Sequence, residues 1–233
     1  MTGSIKMELA GIVIEIFHQD PYTFDKCKDY ICEKPADFCV PAPDEKKLLA
    51  EAAQSGVPFG LYEHDALYQA IARQIPAYQA FLFHGAALEA DGQAYLFTGP
   101  SGAGKSTHLM QWQAARGDAV RIINGDKPII RYDEGRFTVH GTPWQGKENQ
   151  GSRISAPLRQ LYFVQADSAD YCLPVSPEEA LVPLMKQVFF SDNAAYLGLQ
   201  LDLIHLLLGS LPVYRLHCTP TARSVRAVMA TMR

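Results

Sequence analysis

AYLFTGPSGAGKSTHLMQW, residues 94–112, decides the fold, because it places a complete phosphate-loop pattern between a strand and a helix. Gly99-Pro100-Ser101-Gly102-Ala103-Gly104-Lys105-Ser106 fits G-x-x-x-x-G-K-[ST] in full. The pattern needs a strand before it and a helix after it. AYLFT, apolar and aromatic, reads as the strand, and THLMQWQAA reads as the helix. Its glycines let the backbone turn successive N–H groups toward phosphate oxygens, and the helix points its positive end at the same place. Lys105 then offers a point charge to the outer phosphates and Ser106 a hydroxyl to Mg²⁺. Residues Gly99 through Thr107 are therefore the expected site for ATP, or another nucleoside triphosphate, with Mg²⁺.

Working outward, strands and helices alternate. AFLFHGAAL (80–88) reads as a buried strand, Asp91-Gly92 as a turn, and the pair with AYLFT as a hairpin. AVRIIN (119–124), LYFVQ (161–165) and VYRLHC (213–218) read as strands, with a β-rich stretch from Lys127 to about His140. SPEEALVPLMKQ has Ser176 as an N-cap, LQLDLIHLLLG is helical, and TPTARSVRAVMATMR forms a capped last helix. Within the helix after the loop, Trp112 and Met110 read as core. Such alternation implies an α/β fold rather than an all-β one. Before it, LAGIVIEIFH reads as one strand, PDEKKLLAEAAQSG as a helix stopped by Gly56, and HDALYQAIARQIP as a helix closed by Pro76. The expected organisation is an N-terminal α/β lobe over 1–79 and a phosphate-loop domain over 80–233.

Composition bounds the partners. The 233 residues are 48% apolar, enough for a sizeable core, and carry a formal charge of −4 with pI ≈ 6.0. No basic stripe is present, so nucleic acid is not an expected partner. No apolar run is long enough for a membrane span, and the first residues lack a charged segment followed by an apolar one, so the expected setting is the cytoplasm, away from membranes. Five cysteines in a C-x4-C-x6-C run plus two isolated positions match no common zinc pattern and read as reduced thiols.

Three further groups point to chemistry at the phosphate. Asp126, just past the strand AVRIIN, stands where an acid can hold Mg²⁺ or take a proton from an attacking hydroxyl. On local sequence alone Asn124-Gly125 equally reads as a hairpin turn, with Asp126 paired to Lys127. His84 lies mid-strand, where a lone histidine is commonly a core residue, yet hairpin pairing brings it toward Gly99. GTPWQGKEN (141–149) is a loop that supplies Lys147 and Glu148, with Trp144 as an anchor.

Taken together these motifs resemble the catalytic domain of HPr kinase/phosphorylase, which shares its phosphate-site architecture with phosphoenolpyruvate carboxykinase. The similarity is closer to bacterial HPr-kinase-like proteins, to which the lasso-peptide precursor kinases are related. Their motifs FxxHGxAL, GxSGxGKSTH, N-D-D-K-P and GTPWxGKE are answered in order by FLFHGAAL, GPSGAGKSTH, NGDKP and GTPWQGKE. The resemblance implies a mixed-sheet kinase core and phosphoryl transfer from ATP to a serine-like hydroxyl of a peptide, protein or small metabolite. Phosphate removal by the same site run in reverse, or nucleotide sensing without catalysis, are the alternatives it leaves. Carried onto this chain, it assigns Lys105 and Ser106 to phosphate and metal, Asp126 to the acidic role, His84 to the site wall, and Glu148 to a third acid. Gly125 stands where the family has the first acid of a pair. The resemblance does not name the acceptor or fix whether the chain forms a homo-oligomer.

Overall fold

Two apolar strands near the N-terminus, β1 (Gly3–Leu9) and β2 (Ile12–His18), form an antiparallel hairpin. Sequence reading merges them into one strand because LAGIV is continuously apolar. The break is made by Ala10 and Gly11, both at positive φ (52° and 75°), the backbone of a tight two-residue turn. The computed structural model describes residues 3–232. β3 (Phe38–Val40) adds in parallel to β2, and α1 (Pro21–Cys27), α2 (Glu45–Ser55) and α3 (Phe59–Ala72) complete the first third. α2 runs from the Asp44 cap, which accepts from the Lys47 amide, to Gly56 in the left-handed region. α3 starts five residues earlier than HDALYQAIARQIP suggests and stops at Ala72, and Pro76 sits in a short 3₁₀ turn beyond it.

A large curled mixed sheet follows, with strand order β4-β8-β9-β10-β6-β5-β7, and β12 and β11 added beside β10. Its strands are β4 (Ala80–Leu82), β5 (Gly85–Ala90), β6 (Gln93–Thr98), β7 (Val120–Asn124), β8 (Ile129–Asp133), β9 (Arg136–His140), β10 (Ser155–Ala166), β11 (Tyr171–Val175) and β12 (Val213–Cys218). β10 spans twelve residues: its start pairs antiparallel with β9 and its remainder pairs parallel with β6 and β12, which bends the sheet. The expected β5–β6 hairpin forms, with Asp91 and Gly92 at positive φ in its turn. AFLFHGAAL is not one strand, however; it breaks at Phe83-His84 between β4 and β5. β7 does not lie against β6, because β5 stands between them, antiparallel to both. β6 and β7 therefore run in the same direction and end on the same side of the sheet.

Both faces are covered. Alternate residues divide between them: Leu96 and Leu161 pack with α5 (Pro177–Met185) and α6 (Ala194–Ser210), whereas Phe97 and Tyr162 pack with α4 (Lys105–Arg116) and α7 (Arg223–Met229). Trp112 is fully buried on α4, but Met110, expected in the core, is 46% exposed because it faces away from the sheet. A third apolar cluster joins β1–β3, α1 and α3 to Ala80, Leu82, Ile129 and Trp144 of the large sheet and its loops. The N-terminal third thus closes its core only against the rest of the chain. All five cysteines are free thiols, and among the described residues no helix is long and apolar enough to cross a membrane.

Candidate functional site

The turn between β6 and α4 bends sharply at three glycines, Gly99 (φ 146°), Gly102 (φ 81°) and Gly104 (φ 100°), a region other residues rarely adopt. At Gly99 a side chain would also press within 3.1 Å of the Val164 carbonyl on β10. Gly104 is the N-cap of α4 and contributes no side-chain cap, so the first helical amides face the cleft without a protein side chain over them. Lys105 opens the helix, only 8% exposed, and its Nζ donates to the carbonyls of Gly99 (2.8 Å) and Pro100 (3.2 Å). Burial holds the Lys105 ammonium below the usual lysine range, and the nearby Asp126 carboxylate opposes that shift.

Across from this loop, the end of β7 is built by one buried side chain. Asn124 is fully buried, and its Oδ1 accepts from the backbone amides of Asp126 (2.8 Å) and Lys127 (2.7 Å). Its Nδ2 donates to the carbonyl and hydroxyl of Thr142 (3.1 and 3.0 Å), and the Thr142 hydroxyl donates to the Lys127 carbonyl at 2.7 Å. The Asn-Gly pair is therefore not a hairpin tip: the asparagine side chain imitates a backbone turn and aims Asp126 outward. Sequence reading missed Asn124 and Thr142 as positioning residues. An asparagine two residues before an acid is a weak signal by itself, because its role depends on Thr142 eighteen residues away.

Asp126 does not pair with Lys127. Lys127 Nζ bonds Asp65 on α3 at 2.8 Å and sits 4.5 Å over the Tyr68 ring. Asp126 instead faces His84, with Nε2 to Oδ1 at 3.5 Å, while His84 Nδ1 bonds Gln187 Oε1 at 2.9 Å. A third link comes from the main chain, where the Gly85 amide donates to the Asp126 carbonyl at 2.8 Å. His84 escapes the core because the chain breaks there between β4 and β5, leaving its side chain 37% exposed.

His84, Ser101, Gly102, Gly104, Lys105, Ser106, Thr107, Asp126 and Glu148 line one cleft of about 380 Å³, along with Gly125, Gly146 and Lys147. Gly99, Pro100 and Ala103 do not; they form the back of the loop, against the end of β10. His108 turns into the core, 2% exposed, between Ser224 Oγ (3.1 Å) and the Trp112 Nε1–H (2.9 Å). Burial drives its pKa down to about 3, so it is a neutral structural group.

Gly125 also lines the cleft, but its Cα is hemmed in. A Cβ there would stand 3.0 Å from the Gln150 carbonyl oxygen and 3.1 Å from that of Gln145. The GTPWQGKEN loop is in turn pinned to α3: Trp144 Nε1 donates to the His64 carbonyl at 2.8 Å, and the two rings stack at 5.0 Å.

No family model matches the sequence, and no curated protein matches it. Among solved structures, the HPr(Ser) kinase/phosphatase from Coxiella burnetii is similar over 65% of this chain and 92% of that chain, at 9% identity and a TM-score of 0.36. The chemistry of the cleft rests on its own side chains.

Proposed function

We propose that this protein is an ATP- and Mg²⁺-dependent phosphotransferase that moves the terminal phosphoryl group to a hydroxyl. One observation carries the reading: a single cleft unites the loop amides, Lys105 and Ser106 with the His84–Asp126 pair and Glu148. The first two groups suit bound phosphates, and the last three stand where a γ-phosphoryl group would leave. Gly102 and Gly104 present backbone amides, and Lys105, once released from the Gly99 and Pro100 carbonyls, supplies a cation to the outer phosphates.

Ser106 and Asp126 offer a hydroxyl and a carboxylate, hard oxygen donors of the kind Mg²⁺ takes, and the ion supplies charge neutralisation on the phosphates when bound. Among the described residues no three His, Cys, Asp or Glu side chains converge on one metal position, so substrate phosphates and water would supply the remaining Mg²⁺ ligands. Asp126 also accepts the proton of the attacking hydroxyl, and His84, held by Gln187, stands 3.5 Å from its carboxylate as a neighbouring polar group. Catalysis is then chiefly positioning and charge stabilisation, as a loose phosphoryl transition state requires.

Lys105→Ala should abolish ATP binding in a titration, whereas Asp126→Asn should keep binding and lose turnover by roughly 10²-fold or more. Wild-type turnover in Asp126→Asn would remove it from the mechanism, and unchanged binding in Lys105→Ala would remove the nucleotide site.

A further inference from the structure

A second cleft, of about 460 Å³, adjoins the first. Its size lies within the range of about 300–1,000 Å³ usual for small-molecule sites. α1 contributes Tyr22 and Lys26, α3 contributes Leu61, His64 and Asp65, and the 143–149 loop contributes Trp144. Three residues line both clefts: Asp126, Gly146 and Lys147. Asp126 is thus the one acid that a hydroxyl in the second cleft and a phosphoryl group in the first can both reach.

The charges in this cleft do not balance. Lys26, Lys127 and Lys147 face Asp65 and Asp126. Asp65 is taken by Lys127, and Asp126 faces His84. Lys26 Nζ bonds only a neutral group, Asn149 Oδ1 at 2.6 Å, and lies 5.5 Å from the Tyr22 ring centre. Three lysines against two acids leave one positive charge uncompensated, and among the described residues neither Lys26 nor Lys147 forms an ion pair. His64 is 6% exposed and its ring nitrogens are closed off from solvent; the ring stacks on Trp144 and meets Tyr22 edge-on, which makes it part of an aromatic wall. An aromatic wall beside lysines that make no ion pair suits a small ligand with an anionic end.

We propose that this cleft is the acceptor subsite of the phosphotransferase reading above, on which the proposal rests. It takes a small hydroxyl compound bearing an anionic group, carboxylate or phosphate. Lys26 and Lys147 hold the anionic end, and Tyr22, Leu61 and Trp144 enclose the carbon skeleton. The hydroxyl meets Asp126. Its oxygen bonds to the γ-phosphorus as the bridging bond to the β-phosphate breaks, its proton passes to Asp126, and the nucleoside diphosphate leaves with the bonding electrons.

The test uses the full chain, γ-labelled ATP, Mg²⁺ and a defined panel: D-glycerate and L-serine as hydroxy carboxylates, glycerol 3-phosphate as a hydroxy phosphate, glycerol and ethanolamine as compounds lacking an anion. Label should pass to a compound of one anionic class, the two arms telling carboxylate from phosphate, and not to glycerol or ethanolamine. Leu61→Trp, which fills the cleft from a residue already 41% exposed, and Lys26→Glu should each cut that transfer by roughly tenfold or more while ATP affinity stays within about twofold. Equal labelling of glycerol, no labelling of any panel member by a protein that binds ATP, or unchanged transfer in both variants overturns the acceptor assignment. A wild-type protein that fails to bind ATP would instead overturn the phosphotransferase reading.

Discussion

Replacing Gly125 by aspartate, the change that would restore a paired acid in the family pattern, should damage this protein rather than improve it. The position is closed by two backbone carbonyls, at 3.0 Å (Gln150) and 3.1 Å (Gln145) from a Cβ, where ordinary contact begins near 3.4 Å. The Gln150 carbonyl is also the acceptor for the Gly125 amide, at 2.8 Å, so it cannot retreat without weakening that bond. Overpacking of this kind costs about 1–3 kcal/mol. With a urea m-value of about 2 kcal/mol/M, the unfolding midpoint of Gly125→Ala should drop by roughly 0.5–1.5 M. Gly125→Asp should drop at least as far, because its carboxylate points at carbonyl oxygens that repel it and offer no proton. Equilibrium urea unfolding of the two variants, followed by turnover at matched folded fraction, separates the steric part from the charge. A Gly125→Asp protein with the wild-type midpoint and faster transfer would refute the reasoning and show that one carboxylate had simply been lost.

Two other outcomes follow from the same geometry. Asn124→Ala removes four hydrogen bonds from a fully buried side chain and strands two backbone amides, so it should cost about 2–4 kcal/mol in urea unfolding and lose transfer while ATP binding persists; retained transfer would show that Asp126 holds its place without it. Burial depresses the pKa of His108 to about 3 and of His64 and His140 to about 4, each below the ordinary 6.5, so the unfolded chain binds more protons. That stabilisation is complete above about pH 6.5 and is lost as pH falls toward 4, at up to about 1.4 kcal/mol per pH unit for each group, so a urea midpoint that is flat from pH 7 to 5 would contradict it.

Much of the architecture can be read from local chemistry. The glycine turn between β6 and α4, the Ser176 N-cap and the β5–β6 hairpin each depend on residues close together in the chain, and each forms where the sequence places it. What local chemistry does not reveal is pairing. Nothing in AVRIIN tells that β5 will stand between it and β6, since all three strands are apolar and would fit either neighbour. The Ala10-Gly11 turn is hidden because alanine seldom takes positive φ, and the sequence around it is apolar throughout. β11, YCLPV, escapes notice because proline and exposed positions dilute its strand signal. Asp126, Lys105 and His84 can be singled out in the sequence because each lies in a motif, and the fold brings the three to one cleft. Asn124 cannot be singled out in this way, because its role rests on Thr142, eighteen residues away. Lys127 misleads for a similar reason: its partner, Asp65, lies 62 residues upstream.

The shared apolar cluster between the N-terminal third and the large sheet governs the order in which the chain can become native. Met7, Ile14, Leu67 and Ile71 pack with Ile129 and Trp144, residues that emerge from the ribosome later. Until synthesis reaches the GTPW segment, part of the apolar face of the first 79 residues lacks its native cover. Trp144 of that cluster also stacks on His64 and lines the second cleft. The same tryptophan thus serves both the N-terminal core and the wall of the cleft.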